Sequence, residues 1–584
     1  MSRVTTSDTV VDARQPQGGP DSLPTWQVRL RRFGYAPRRR PGLRERLVPP
    51  FPKPEPRLAA VFGLGPETAA RLARWAAWGG PLLVALVAGV LRFWQLGSPH
   101  AVIFDETYYA KDAWSLLHQG YEGTWPDKAN DRILADPQHI PLSERGSYVV
   151  HPPVGKWIIA LGEGLFGLHP FGWRFMMAVL GTLSVLMLCR IGRRLFRSTA
   201  LGCLAGGLMA VDGLHFVMSR TALLDLALMF WVLAAFGALL VDRDKTRARL
   251  AARLPRRDTE AGPGTGDVLT DALVGDRAGL GWRPWRLLAG LCLGLGFATK
   301  WNGLYMLAAF GILTVLWDMG ARRTAGAARP FVAVLRKDAL PAFVSLPIVA
   351  LGTYVASWSG WFATSGGYFR DWADKQGAAG SWAAWLPGPL RSLWHYEHEV
   401  YEFHVNLTSG HTYQSNPWSW LVLGRPVSYF YESPKVGKDG CTDQAEGCAR
   451  EVLALGTPLL WWVGCLALLY VLYRWFFRRD WRAGGILCGV AAGYLPWFMY
   501  QERTIFLFYA VVFLPFVCLA LAMAAGALAG PPGSSDRRRM VGVVAVGVVG
   551  LLIVWNFIYF WPIYTGQTIP MSEWRHRMWF DTWI

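Results

Sequence analysis

The first 78 residues contain no long apolar run, so they lack the early apolar segment that a secretory leader needs. They are rich in Pro, Gly and Arg, with runs such as Arg38-Arg39-Arg40. A mostly disordered, basic cytoplasmic tail is expected there. Cysteine is sparse, at 8 of 584 residues. Cys189, Cys203, Cys292, Cys465, Cys488 and Cys518 fall within or beside apolar runs, where cysteine acts as a small hydrophobe. Only Cys441 and Cys448 lie in a polar loop. No nearby His or second Cys pair completes a zinc site around them. A disulfide is the expectation if that loop faces an oxidising compartment. No basic helix has base-reading spacing, so the net charge of +18 does not point to nucleic acid. No inverted repeat or paired broken helices mark a midplane site, which argues against a transporter.

What is present is apolar. Hydrophobic residues make up 52% of the chain and aromatic residues 14%, with 31 Trp. They gather in repeated runs of bilayer-spanning length. About eleven spans are expected, near 80–97, 171–190, 200–218, 221–241, 286–299, 302–318, 339–358, 457–475, 484–500, 503–526 and 541–563. A further apolar stretch at 154–168 is interrupted by Gly162, Glu163 and Gly164, and is expected to lie at the membrane interface. The fold class is therefore an all-α polytopic membrane protein. Lys and Arg crowd alternate loops: 190–194, 242–257, 322–337, 474–482 and 537–539. By the positive-inside rule these face the cytoplasm, as does the N-terminus. The loops 98–170 and 359–456 and the tail after Tyr564 then face outside. The expected parts are the tail 1–78, a transmembrane module 79–358 with external loop 98–170, an external loop 359–456, and C-terminal helices with an external tail, 457–584.

Asp105-Glu106 falls just past the first apolar run, on the outer side. Two adjacent carboxylates beside lipid are costly and need a reason. A structural one exists: Asp105 can cap a helix from Glu106 to about His118, stopped by Gly120. Their surroundings add others. His151-Pro152-Pro153-Val154-Gly155-Lys156 forms a rigid turn that would present His151 and Lys156 at the lipid boundary. Arg174 sits at the outer end of a span, where it can snorkel or bind a phosphate. Asp225, one turn inside a span, needs a partner, and Arg220 is the nearest cation. Lys300 and Arg503 occupy short external turns. These cations defy the positive-inside pattern. With a carboxylate pair beside them, they suggest an anionic ligand at the membrane surface, most naturally a lipid phosphate.

Four segments carry a resemblance: Phe-Asp-Glu-Thr-Tyr-Tyr-Ala-Lys-Asp (104–112), His-Pro-Pro-Val-Gly-Lys (151–156), Ser-Arg-Thr-Ala-Leu-Leu-Asp (219–225) and Thr-Lys-Trp-Asn-Gly-Leu (299–304). In residues, order and spacing the chain resembles the protein O-mannosyltransferases, multi-spanning GT-C glycosyltransferases, over roughly 80–564. Its high Arg, Ala and Gly content and short external loop resemble the actinobacterial members, since 359–456 is too short for the large luminal domain of fungal and animal enzymes. The resemblance implies a GT-C fold with external amphipathic loop helices. It implies polyprenyl phosphate mannose as donor, and Ser or Thr of secreted or membrane proteins as acceptor, with coupling to the export machinery a further expectation. It makes Asp105 the catalytic acid or base, supported by Glu106, and puts Arg174 near the donor phosphate. His395, His404, His411, Tyr413 and Arg425 lie in a stretch similar to the family's final external loop, without individual roles.

A Ser or Thr hydroxyl needs somewhere to lose its proton, and Asp105 is the expected base. The leaving phosphate needs charge stabilisation, which Arg174, Lys300, Arg503 and Arg220 are expected to supply. His151, Lys156, Asp225, His404, His411 and Tyr413 are expected to bind substrate or support the site. This suits single displacement with inversion. No cofactor is required, and a divalent ion between Asp105 and Glu106 is an open alternative. The competing readings are another GT-C transfer from a lipid-phosphate sugar to a lipid or polysaccharide, and transport.

Overall fold

The computed structural model describes residues 42–50, 63, 65–136, 139–140, 142–254, 265–376, 384–443, 446–530 and 534–584. Most of the expected disordered tail, 1–78, lies outside the described residues. Its last part is helical. Helix α1 (Pro66–Phe93) begins well ahead of the apolar run expected from residue 80. Pro66 suits the first helical position, Glu67 favours the first turn, and the Ala-rich stretch that follows propagates the helix.

Helix α2 (Glu106–Gln119) follows the first loop, and α3 (Val154–Phe166) packs against it. The bundle continues through α4 (Pro170–Phe196), α5 (Thr199–Ala210), α6 (Gly213–Met218) and α7 (Leu224–Arg253). Next come α8 (Pro284–Phe297), α9 (Gly303–Thr324) and the helical segment α10 (Pro330–Ser357). Helix α11 (Gly388–Asn406) lies in the loop expected outside. The chain closes with α12 (Pro458–Arg478), α13 (Trp481–Tyr494), α14 (Leu514–Leu528) and α15 (Asp536–Thr565).

All eleven expected runs fall on helical structure, but among the described residues only seven helices are long and apolar enough to cross a membrane alone: α1, α4, α7, α9, α10, α12 and α15. The others are shorter for local reasons. The run 200–218 breaks at Asp212, whose Oδ1 accepts the His215 N–H at 2.9 Å and starts α6 afresh. The run 503–526 opens as a 3-10 turn, Leu507–Val512, before Pro515 begins α14. Helix α7 is apolar on nearly every side and lies at the centre, whereas α15 leaves Val544, Leu551 and Ile558 exposed, as a lipid-facing helix would.

The helical membrane class holds, and one small sheet accompanies it. Strands β1 (Val427–Glu432), β2 (Cys448–Ala454) and β3 (Thr568–Pro570) form an antiparallel sheet in that order, joining loop to tail. The run Val427-Ser428-Tyr429-Phe430-Tyr431, rich in β-branched and aromatic residues, carries the signal for it. Register slips between Ser428 and Phe430, leaving Tyr429 as the bulged residue. Cys441 and Cys448 are joined as a disulfide at the start of β2.

Candidate active site

Asp105 and Glu106 part company at once. Phe104 adopts φ 45°, a left-handed conformation that costs a non-glycine residue free energy and recurs at functional sites. Its ring is clamped, stacked on Tyr429 at 4.7 Å and edge-on to Phe506 and Phe508 at 6.1 and 5.7 Å. The Tyr429 that meets it is the bulged residue. The backbone turn then drives Glu106 inward and leaves Asp105 facing the interior of the bundle's mouth. Asp105 stands at the N-cap of α2, but its side chain makes no capping bond.

Glu106 is fully buried and its four acceptor positions are filled. Oε1 accepts from Arg174 Nε at 2.7 Å and from the Ala222 N–H at 3.1 Å. Oε2 accepts from Arg174 Nη2 at 2.8 Å and from the Ile103 N–H at 3.1 Å. Glu106 therefore has no acceptor position left to share with Asp105 around a divalent ion. Arg174 gives its remaining N–H groups to the carbonyls of Leu96, Pro99 and Ala101, at 3.4, 3.0 and 2.9 Å. All five of its donors are committed, so the expected phosphate contact is corrected: Arg174 is a buried strut for Glu106.

Three further expectations change in the same way. Arg220 does not pair with Asp225 or face a phosphate. It donates to the carbonyls of Arg92, Trp94 and Gln95, holding the end of α1. Lys156 is not at a lipid boundary but buried in an ion pair with Glu122. Lys300 does not stand free in its short turn: its Nζ donates to both oxygens of Asp225 at 2.9 Å and sits 4.4 Å from the Tyr509 ring centroid.

Asp105 faces this Lys300–Asp225 pair and Tyr109, one helical turn along α2. Burial pushes its carboxyl up to about 6; Lys300 and Tyr109 oppose the rise, and Asp225 adds to it. Burial also disfavours the Lys300 ammonium, but Asp225, Tyr509 and Asp105 outweigh it and hold that amine above its ordinary range.

Beside Lys300 opens a cavity of about 410 Å³. Phe297, Leu304, Val405 and Trp497 give it apolar walls, while Lys300, Arg503, His151 and His404 bring polar groups to it. Arg503 Nη2 donates to His404 Nδ1 at 3.0 Å, and His404 Nε2 donates to the Val150 carbonyl at 2.8 Å. Both His404 nitrogens are thus committed and its tautomer is fixed. Burial, then Arg503, push His404 down to about 4, so it stays neutral. Arg503 Nε and His151 Nδ1 are buried without a hydrogen-bond partner. Burial and the surrounding cations hold His151 well below its usual range.

The remaining loop residues lie around this centre. The His411 ring meets Phe506 edge-on at 5.1 Å, and its Nδ1 accepts the Tyr413 N–H. Tyr413 lies under Arg425, which donates to the carbonyls of Thr582 and Ile584. His395 stacks on Trp372 at 4.1 Å, away from the cavity. Sequence reasoning missed Tyr109, Tyr429, Tyr509 and Trp301. Tyr109 carried a local signal in its i+4 spacing from Asp105, and Trp301, which lines the cavity, stands beside Lys300 in the 299–304 segment.

An acid at the mouth of a helical bundle, facing a cation-bearing apolar cavity, is an arrangement suited to an anionic, lipid-linked substrate. Comparisons with known proteins agree. Residues 82–252 match the family model described as dolichyl-phosphate-mannose-protein mannosyltransferase. Residues 389–583 match the C-terminal four-transmembrane region of protein O-mannosyltransferase. The polyprenol-phosphate-mannose–protein mannosyltransferase of Mycolicibacterium smegmatis is 38% identical over 87% of this chain and 93% of its own. That of Corynebacterium glutamicum is 35% identical over 86% of this chain and 92% of its own. The Saccharomyces cerevisiae protein O-mannosyltransferase Pmt1-Pmt2 complex, solved bound to its sugar donor, shares the fold, with TM-score 0.63, 15% identity, and coverage of 88% of this chain and 94% of that one. The chain belongs to the protein O-mannosyltransferase family.

Proposed function

We propose that the protein transfers mannose from polyprenyl phosphate mannose to Ser or Thr hydroxyls of proteins at the extracytoplasmic face of the membrane. One observation carries the chemistry: Lys300 both faces Asp105 and lines the apolar cavity. Donor phosphate in that cavity meets Lys300 and Arg503, with the lipid against its apolar walls. The sugar carbon then lies toward Asp105.

Asp105 takes the proton of the acceptor hydroxyl as that oxygen attacks the anomeric carbon. The bond from that carbon to the phosphate oxygen breaks, and its electron pair leaves with the phosphate. Lys300 and Arg503 offset the charge that develops there. One displacement inverts the sugar carbon. His404 holds Arg503 in position, and Asp225 holds Lys300. The phosphate roles first expected of Arg174 and Arg220 are not retained, nor is a catalytic role for Glu106 beyond positioning Asp105. A divalent ion is not needed for this chemistry. The alternating basic loops favour Asp105 and the C-terminus outside and the N-terminus inside.

The test is an in vitro reaction of purified protein with polyprenyl phosphate mannose and a Ser/Thr/Pro-rich peptide, with and without chelator. Mannosyl peptide is expected in both. Sugar appearing only on lipid or polysaccharide, or uptake into vesicles without any glycosyl product, would reject the proposal.

A further inference from the structure

Helix α11 has two working faces. Tyr401, His404 and Val405 look into the cavity that holds Lys300 and Arg503. On the opposite face, Glu399, Glu402, Phe403 and Asn406 recur at i, i+3, i+4 and i+7 and line an open groove of about 730 Å³. The groove's other wall includes Tyr148 and Phe369. Among the described residues, no Lys or Arg lines it. We infer that this groove receives the acceptor polypeptide as an extended, cation-bearing segment, an inference that rests on the transfer reaction proposed above.

Charge separates the two faces. The cavity side carries the cations an anionic lipid head group requires. The groove side carries two carboxylates, which repel that head group and attract Lys or Arg. On the same helix His398 sits 3.3 Å from Glu402 as an exposed pair of little worth, and His395, stacked on Trp372 and held below its usual range by burial, is 3.9 Å from Glu399, beyond hydrogen-bond reach, so both acids remain available. Flat aromatic walls of this kind seat an extended or polyproline-like chain, with side-chain pockets adding selectivity.

Two seams join the groove to the catalytic cavity. On one side, the Val149 N–H donates to Tyr396 Oη of α11 at 2.9 Å, and Val150 accepts from His404; His151, the next residue, lines the cavity. On the other, the Thr504 N–H donates to the Leu407 carbonyl at 3.3 Å, directly after Arg503. A chain lying in the groove therefore runs along walls hydrogen-bonded to those of the donor cavity.

The experiment compares the full-length protein with a Glu399→Gln/Glu402→Gln double variant on two Ser/Thr/Pro peptides. One peptide carries flanking Lys and the other has Gln in those positions. The variant is expected to raise KM for the Lys peptide by about three- to tenfold, leaving the Gln peptide and the donor KM unchanged. The difference between peptides should shrink as salt rises. An unchanged KM for the Lys peptide, or a shift in donor KM instead, would overturn the inference. Wild-type protein that mannosylates neither peptide would overturn the transfer reaction itself.

Discussion

Adjacent carboxylates divide the labour at the residue scale. Glu106 is saturated with hydrogen bonds, while Asp105 meets Tyr109 and faces Lys300, with its carboxyl raised to about 6 by burial. Because the pKa is raised, the carboxylate is present above about pH 6 and is lost as pH falls through it. kcat/KM should be flat above that value and fall about tenfold per unit below it. A profile unchanged between about pH 5 and 8 would remove Asp105 as the titrating base. Arg503→Ala should lower donor kcat/KM by about 10²-fold or more, in line with losing one charge-stabilising group. His404→Ala should do less, and should add almost nothing to Arg503→Ala, because it acts through Arg503. Full additivity in that cycle would contradict the positioning role. Arg174→Ala should behave differently, destabilising by about 3–5 kcal/mol by leaving Glu106 buried and unpaired.

Short elements place these residues. Gly155 lies where α3 begins, and a Cβ there would come within 2.6 Å of Leu224 Cδ2 and 2.9 Å of Thr299 Cγ2. Those neighbours immediately precede Asp225 and Lys300. Gly155→Ala should cost about 1–3 kcal/mol through overpacking and should lower transfer activity along with Tm. Unchanged activity would show that this close approach does not set the Lys300–Asp225 pair. The sheet is the second positioning element, since its bulge brings Tyr429 onto Phe104. Its Cys441–Cys448 bond closes a short ring, worth about 2.5 kcal/mol by chain entropy. Replacing both cysteines by Ser should speed proteolysis between 433 and 450 without removing the protein from the membrane. An unchanged digestion rate would contradict that.

Across the whole molecule, what could be read in advance was what repeats or stays local. Apolar runs located the helices, basic loops suggested an orientation, and Asp105-Glu106 with the 151–156 turn marked the candidate site. Partners far along the chain were not legible. Arg174, Arg220 and Lys156 looked like free cations at a surface, yet their charges are absorbed by Glu106, by the end of α1 and by Glu122. Lys300 is paired as well, with Asp225, but unlike them it and Arg503 line the cavity, which only the packing shows. Helix breaks at Asp212 and before Pro515 were hidden for a similar reason, since a capping aspartate and a proline at a helix start are brief interruptions in long apolar windows. The orientation is open to direct labelling. A membrane-impermeant thiol reagent should modify Lys435→Cys in intact cells and Arg537→Cys only after lysis, and the reverse pattern would put Asp105 on the wrong side. The decisive measurement is mannosyl-peptide formation by Asp105→Asn beside the wild type, at matched membrane content and Tm. A loss of at least about 10²-fold in turnover is expected, and equal turnover would contradict the assignment of Asp105 as the group that receives the acceptor's proton.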